Sequence, residues 1–131
     1  MKELFDLGIS ESTLKAMMEL NPEINELSNE EILEKINILE IIDCSKLQIL
    51  NIISSNSLYL SKTKGEIIKL INYLKQIGFK CLNILIDSNP YILNLEPFEI
   101  ESYINKKIND GENVEDIIDE LDSNPSLFLE M

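Results

Sequence analysis

Apolar residues recur along this chain in triplets spaced i, i+3 and i+4, with polar residues between them. Leu14, Met17 and Met18 form one triplet, Ile49, Ile52 and Ile53 a second, and Leu82, Leu85 and Ile86 a third. Val114, Ile117, Ile118 and Leu121 continue the pattern with a shifted stripe. Such spacing lines up side chains on one face of an α-helix, so each run predicts a helix with a single buried stripe. Ser10 and Ser45 stand where an N-cap is needed, and Asn113, with Asp116 three residues on, takes the same place in the last copy. A second set of stripes alternates with the first. Ile32, Leu33 and Ile36 align with Ile67, Ile68 and Ile71, while Ile100 and Ile104 keep two of the three slots. Ser28 with Glu31 and Thr63 with Glu66 have capping-box spacing, and Pro97 suits the first turn of a helix.

The punctuation between these helices repeats as regularly as the stripes. Leu20-Asn21-Pro22-Glu23-Ile24, Asn56-Ser57-Leu58-Tyr59-Leu60, Asn89-Pro90-Tyr91-Ile92-Leu93 and Asn124-Pro125-Ser126-Leu127-Phe128 align on their asparagines, which are 35, 33 and 35 residues apart. A turn slot recurs at Gly8, Asp43, Gly78 and Gly111, at separations of 35, 35 and 33. Two independent markers with nearly one period define a repeat. Proline at 22, 90 and 125 disfavours helical geometry in the residue before it and so stops the first helix of its unit. Each unit reads as helix, short Asn-Pro-apolar turn, helix. Neither helix buries its stripe alone, so neighbouring units must stack. The predicted fold is all-α: a short α-solenoid of about three and a half helix–turn–helix repeats of 33–35 residues, in one domain with units near 1–37, 38–73, 74–108 and 109–131.

This pattern resembles the mitochondrial transcription termination factor (mTERF) repeat. The residues that carry the likeness are Leu7-Gly8-Ile9-Ser10 with Leu20-Asn21-Pro22-Glu23-Ile24, and Ile77-Gly78-Phe79 with Ser88-Asn89-Pro90-Tyr91-Ile92-Leu93. The family pattern is a leucine-glycine-hydrophobic-serine opening and a later proline followed by an apolar pair. The resemblance spans almost the whole chain and implies the helical-repeat architecture. It also implies a basic inner surface on which arginines meet the phosphates of double-stranded nucleic acid. All eleven basic residues here are Lys, so there is no arginine to carry that role over.

Charge is unevenly placed. Residues 1–37 carry three Lys against nine acids and residues 38–73 four against three; residues 74–108 carry four of each and residues 109–131 none against eight. Both ends are acidic, and the net charge is -13. Phosphate binding draws on clustered cations, and a strongly negative molecule repels a polyanion at long range, so nucleic acid is not the expected partner. Lys62, Lys64, Lys69, Lys75 and Lys80 form one modest basic cluster and Lys106-Lys107 another. They read either as a phosphate track or as a solvated helix surface with i,i+4 ion pairs.

No catalytic residue is expected. The sequence contains no His, no glycine-rich phosphate loop and no HExxH motif, which leaves neither the usual general base near neutral pH nor a nucleotide cradle. No cofactor and no metal site is expected either. Cys44 and Cys81 read as small buried residues rather than ligands or a disulfide. No run of apolar residues is long enough to span a membrane, no signal-peptide layout is visible, and a cytoplasmic location follows as the expectation. Abundant Ile, Asn, Lys and Glu without Arg match an AT-rich genome, bacterial or phage.

The expected activity is that of a non-enzymatic repeat module that binds another protein. The candidate interface lies at the C-terminal end. Leu127, Phe128, Leu129 and Met131 follow the fourth Asn-Pro turn, either folding back as a cap or remaining exposed as an edge for a homodimer. Glu115, Asp116, Asp119, Glu120 and Asp122 form a carboxylate-rich patch beside them. Such a patch can imitate a phosphate array, which makes an acidic inhibitor of a nucleic-acid-binding protein the alternative. A termination-factor-like nucleic-acid binder is the third.

Overall fold

Each predicted stripe forms a helix in the computed structural model, which describes residues 1–131. Eight α-helices and four 3₁₀ helices follow one another with no strand, and the fold is an all-α helical repeat. The chain falls into two compact units, residues 1–64 and 65–131.

The first unit contains α1 (Lys2–Leu7), α2 (Glu11–Leu20), the 3₁₀ helix η1 (Pro22–Glu26), α3 (Asn29–Ile41), α4 (Lys46–Ser55) and η2 (Ser57–Ser61). Side-chain capping sets the starts. Ser10 Oγ accepts from Thr13 N at 3.2 Å. Ser28 and Glu31 form a reciprocal box, as do Ser45 and Gln48, whose Oε1 takes the Ser45 N–H at 2.9 Å. These bonds satisfy backbone donors that a helix start leaves open. α1 packs on α3 and α4, α2 packs on α4 and η2, and α3 packs on α4 and η2. The core is aliphatic: Leu4, Ile24, Ile32, Leu39, Ile52, Ile53 and Leu60 are fully buried together with the ring of Tyr59.

The second unit contains α5 (Lys64–Ile77), α6 (Leu82–Ser88), η3 (Pro90–Asn94), α7 (Pro97–Asn109), α8 (Val114–Ser123) and η4 (Pro125–Glu130). Asn113 Oδ1 caps α8 by accepting from Asp116 N at 2.9 Å, and Pro97 opens α7. α7 packs on α8, and η3 on η4. Ile86, Ile92, Ile100, Leu121 and Phe128 are fully buried, and the Phe79 and Phe128 rings lie 5.9 Å apart.

The turn slot closes the preceding helix. Gly8, Gly78 and Gly111 have φ of 109°, 121° and 97°, and Asp43 holds the same slot at φ 70°. In each copy the slot residue donates to a carbonyl three back, and the next residue to one five back: Gly78 N to Lys75 O at 3.2 Å, Phe79 N to Leu74 O at 3.1 Å. This paired bonding is a Schellman closure, which favours glycine because a Cβ is strained at positive φ. Asp43 is the one side-chain-bearing residue that adopts it.

Three details depart from the sequence reading. Val114 is 43 % exposed, because it is the first residue of α8 and overhangs the core that Ile117, Ile118 and Leu121 enter. Leu33 and Ile68 occupy equivalent slots and are both exposed, and Glu101 stands in that slot in the third copy, so this position belongs to the solvent face. Cys44 is buried but Cys81 is exposed, at the N-terminus of α6.

Candidate functional site

The Asn-Pro segments are short 3₁₀ helices rather than turns, and two of their asparagines, Asn21 and Asn89, join one repeat to the next. Each asparagine ends its α-helix outside helical geometry, with φ between -146° and -135°, and its own carbonyl starts the 3₁₀ helix. Asn56 does so although Ser57 follows it in place of proline. At Asn21 and Asn89 the side chain then reaches across. Asn21 Nδ2 donates to Ser57 O at 3.0 Å and to Ser61 Oγ at 2.8 Å. Asn89 Nδ2 donates to Pro125 O at 2.9 Å. Ser57 and Pro125 each follow the asparagine of the next repeat, so the two contacts are the same rung in two places. Asn21 is almost wholly buried. Leu20 and Leu58, the chain neighbours of Asn21 and Ser57, are 75 % and 49 % exposed, which puts aliphatic side chains on the surface beside this rung.

Tyr59, on η2, is buried and donates its hydroxyl to Lys35 O at 2.7 Å. Burial pushes its phenol far above the ordinary range, with the charges of Cys44 and Glu34 acting in the same direction. Lys35 itself is almost wholly buried, and its ammonium lies 3.9 Å from Glu34.

The C-terminal candidate residues do not share one environment. Phe128 is buried against Phe79, Leu127 and Met131 are half-buried, and Leu129 is 60 % exposed. Glu115, Asp116, Asp119, Glu120 and Asp122 are all exposed on α8. Of these candidates, Met131 also lines a cleft of about 450 Å³ with Glu130 and residues of α7, among them Tyr103, Lys106 and Lys107. There the Lys107 ammonium sits 5.6 Å from the centre of the Tyr103 ring and 3.7 Å from Glu112. Tyr103 and Glu112 hold the Lys107 pKa above its usual value, while partial burial raises that of Tyr103. In the basic cluster, Lys64, Lys69, Lys75 and Lys80 are exposed and Lys62 is half-buried.

No group of three or more His, Cys, Asp or Glu side chains is arranged to hold a metal ion. No helix is long and apolar enough to cross a membrane. The sequence reading missed the asparagine rungs: their period was visible, but a side chain's reach into the next repeat leaves no local signature. It also missed α1, whose six residues are too few to show helical periodicity.

No curated protein and no solved structure matches the chain. The family model for mTERF matches residues 1–128. With the repeated helix, asparagine stop and Schellman closure on which that match lies, the chain belongs to the mTERF family.

Proposed function

We propose that this chain is a non-enzymatic, cytoplasmic helical-repeat module whose ligand is another protein. The observation that carries the reading is the surface beside the Asn21 rung, where Leu20 and Leu58 are exposed on an otherwise acidic unit. Exposed aliphatic side chains flanking a buried hydrogen bond suit contact with another protein surface. Charge supports the same choice. Residues 1–64 carry six Lys against eleven acids, and residues 65–131 carry five against thirteen. A phosphate ligand, which the likeness to termination-factor repeats implies, depends on clustered cations. The test is capture from a host lysate with and without nuclease, repeated with Leu20→Glu/Leu58→Glu. Partners retained after nuclease and lost with the double variant support the reading. Partners that vanish with nuclease contradict it.

A second reading is favoured by α8. Its five exposed carboxylates, in a segment with no Lys between residues 109 and 131, suit an acidic inhibitor of phage or mobile-element type that occupies a nucleic-acid groove on its target. Under that reading the captured partner is a basic nucleic-acid-binding protein. Duplex DNA displaces it, and neutralising Glu115, Asp119 and Asp122 releases it.

A further inference from the structure

The first unit has a cleft of about 390 Å³ bordered by α1, α3 and α4. Its walls combine two chemistries. Leu7, Leu33, Ile36 and Ile49 supply an aliphatic lining, and Leu33 is 44 % exposed although it carries no polar group. Glu3, Asp6 and Glu40 supply three carboxylates against the single cation Lys46. One of these carboxylates is out of balance. Glu3 Oε2 is shielded from solvent and accepts no hydrogen bond. The Met1 ammonium, the nearest cation in the sequence apart from Lys2, donates instead to Asn29 Oδ1 at 2.8 Å. Lys46 is exposed on the rim and forms no ion pair with the three carboxylates. A carboxylate oxygen that has lost its water without gaining a donor is costly, and a cation seated on that carboxylate offsets the cost.

We propose that this cleft receives the lysine or arginine side chain of a protein partner, its aliphatic stem against Leu7, Leu33, Ile36 and Ile49 and its cationic head on Glu3. The occupant must match both walls. A leucine or phenylalanine side chain covers the lining but leaves Glu3 without a donor and expels water from Asp6 and Glu40. A bare metal ion gains nothing from the aliphatic lining, and the carboxylates do not converge as a metal site. A long stem ending in a cation satisfies lining and rim together. The cleft of the second unit is the internal contrast: Lys106 and Lys107 there stand against Glu99, Asp110 and Glu130, and no shielded carboxylate oxygen is left without a donor. The proposal rests on the protein-binding reading and specifies the chemistry that the partner presents.

The test uses the whole ¹⁵N-labelled chain titrated with Nα-acetyl-lysine N-methylamide and, separately, with the norleucine analogue, which keeps the stem and lacks the ammonium. The lysine probe is expected to move the amide signals of Glu3, Leu7, Leu33 and Ile36 along a saturating curve that norleucine does not reproduce. Glu3→Gln weakens the probe about fivefold, the loss expected when one partly shielded charge pair is removed. Asp6→Asn/Glu40→Gln, at exposed positions where folding is not at stake, weakens it in the same direction, and Lys46→Met tightens it. Equal shifts with norleucine, shifts spread evenly over the α8 carboxylates, or wild-type binding by both carboxylate variants would each overturn the proposal. A captured partner whose retention ignores Glu3→Gln would remove the cleft and leave the protein-binding reading standing; loss of all partners to nuclease would remove that reading.

Discussion

The side-chain amide of Asn21 donates to the carbonyl of Ser57, 36 residues further along, at 3.0 Å. Asn89 makes the same bond to Pro125, again across 36 residues, at 2.9 Å. A residue that ends one helix therefore also binds the start of the next repeat's 3₁₀ helix. Removing a buried donor that serves a carbonyl costs about 1–3 kcal/mol. Asn21→Ala is expected to lose close to the upper figure, because Asn21 also donates to Ser61 Oγ and is almost fully buried. Asn89→Ala, less buried and with a single donor bond to Pro125, is expected to lose less. Urea unfolding of both variants measures the difference, and equal small losses would contradict a structural role for the rungs.

Asp43 occupies at φ 70° the slot that glycine fills in the other three copies. Relief of left-handed strain stabilises, while the extra freedom glycine brings to the unfolded chain opposes it. Asp43→Gly is expected to stabilise by up to about 1 kcal/mol, since strain relief wins where φ is positive. The converse change, Gly78→Ala at φ 121°, is expected to destabilise. Melting temperatures of the two variants should move in opposite directions.

Tyr59 links stability to alkaline pH. Its folded pKa lies above the unfolded value near 10 because the phenol is buried, so the protein favours the protonated form. The contribution is complete below about pH 10 and is lost as pH rises toward the folded pKa, since only the unfolded chain releases the proton readily. Stability is therefore expected to fall above about pH 10, and Tyr59→Phe should flatten that fall. At neutral pH the same variant leaves Lys35 O without its donor and loses about 1–2 kcal/mol. Denaturant curves at neutral and alkaline pH measure both effects.

Phe128 and Leu129 are neighbours with opposite exposure. Phe128→Ala removes a ring packed on Phe79 and is expected to cost about 3–5 kcal/mol. Leu129→Ala, at a 60 % exposed position, is expected to change stability by less than about 0.5 kcal/mol. A homodimer through this end would depend on Leu129 rather than Phe128. Leu129→Glu should then convert a dimer to a monomer in sedimentation equilibrium, and an unchanged mass removes that interface.

Much of this fold was legible in the chain. The stripes, the caps at Ser10, Ser28, Ser45 and Asn113, and the four turn slots are local patterns, and each spacing maps directly onto backbone hydrogen bonding. What was not legible depends on the partner of a side chain rather than on its neighbours in sequence. Asn21 reads as a helix stop, and only packing brings Ser57 within its reach. Leu33 and Ile68 align at helical spacing yet both lie open, and Glu3 looks like any first-turn carboxylate until the shielding of its Oε2 is seen. The Asn-Pro segments read as turns because proline marks a stop, whereas Pro22, Pro90 and Pro125 each also begin a 3₁₀ helix.

The choice between a protein ligand and a nucleic-acid ligand is tested most directly by fluorescence anisotropy of a labelled DNA duplex against the whole chain. At about 0.15 M salt, screening removes weak surface attraction, and a true phosphate-binding track still gives saturable binding with a steep salt dependence. An acidic, protein-binding repeat is expected to give no saturable change in anisotropy at any chain concentration reached. Saturable binding that weakens with added salt and is lost in a Lys64→Ala/Lys69→Ala/Lys75→Ala/Lys80→Ala variant would contradict it.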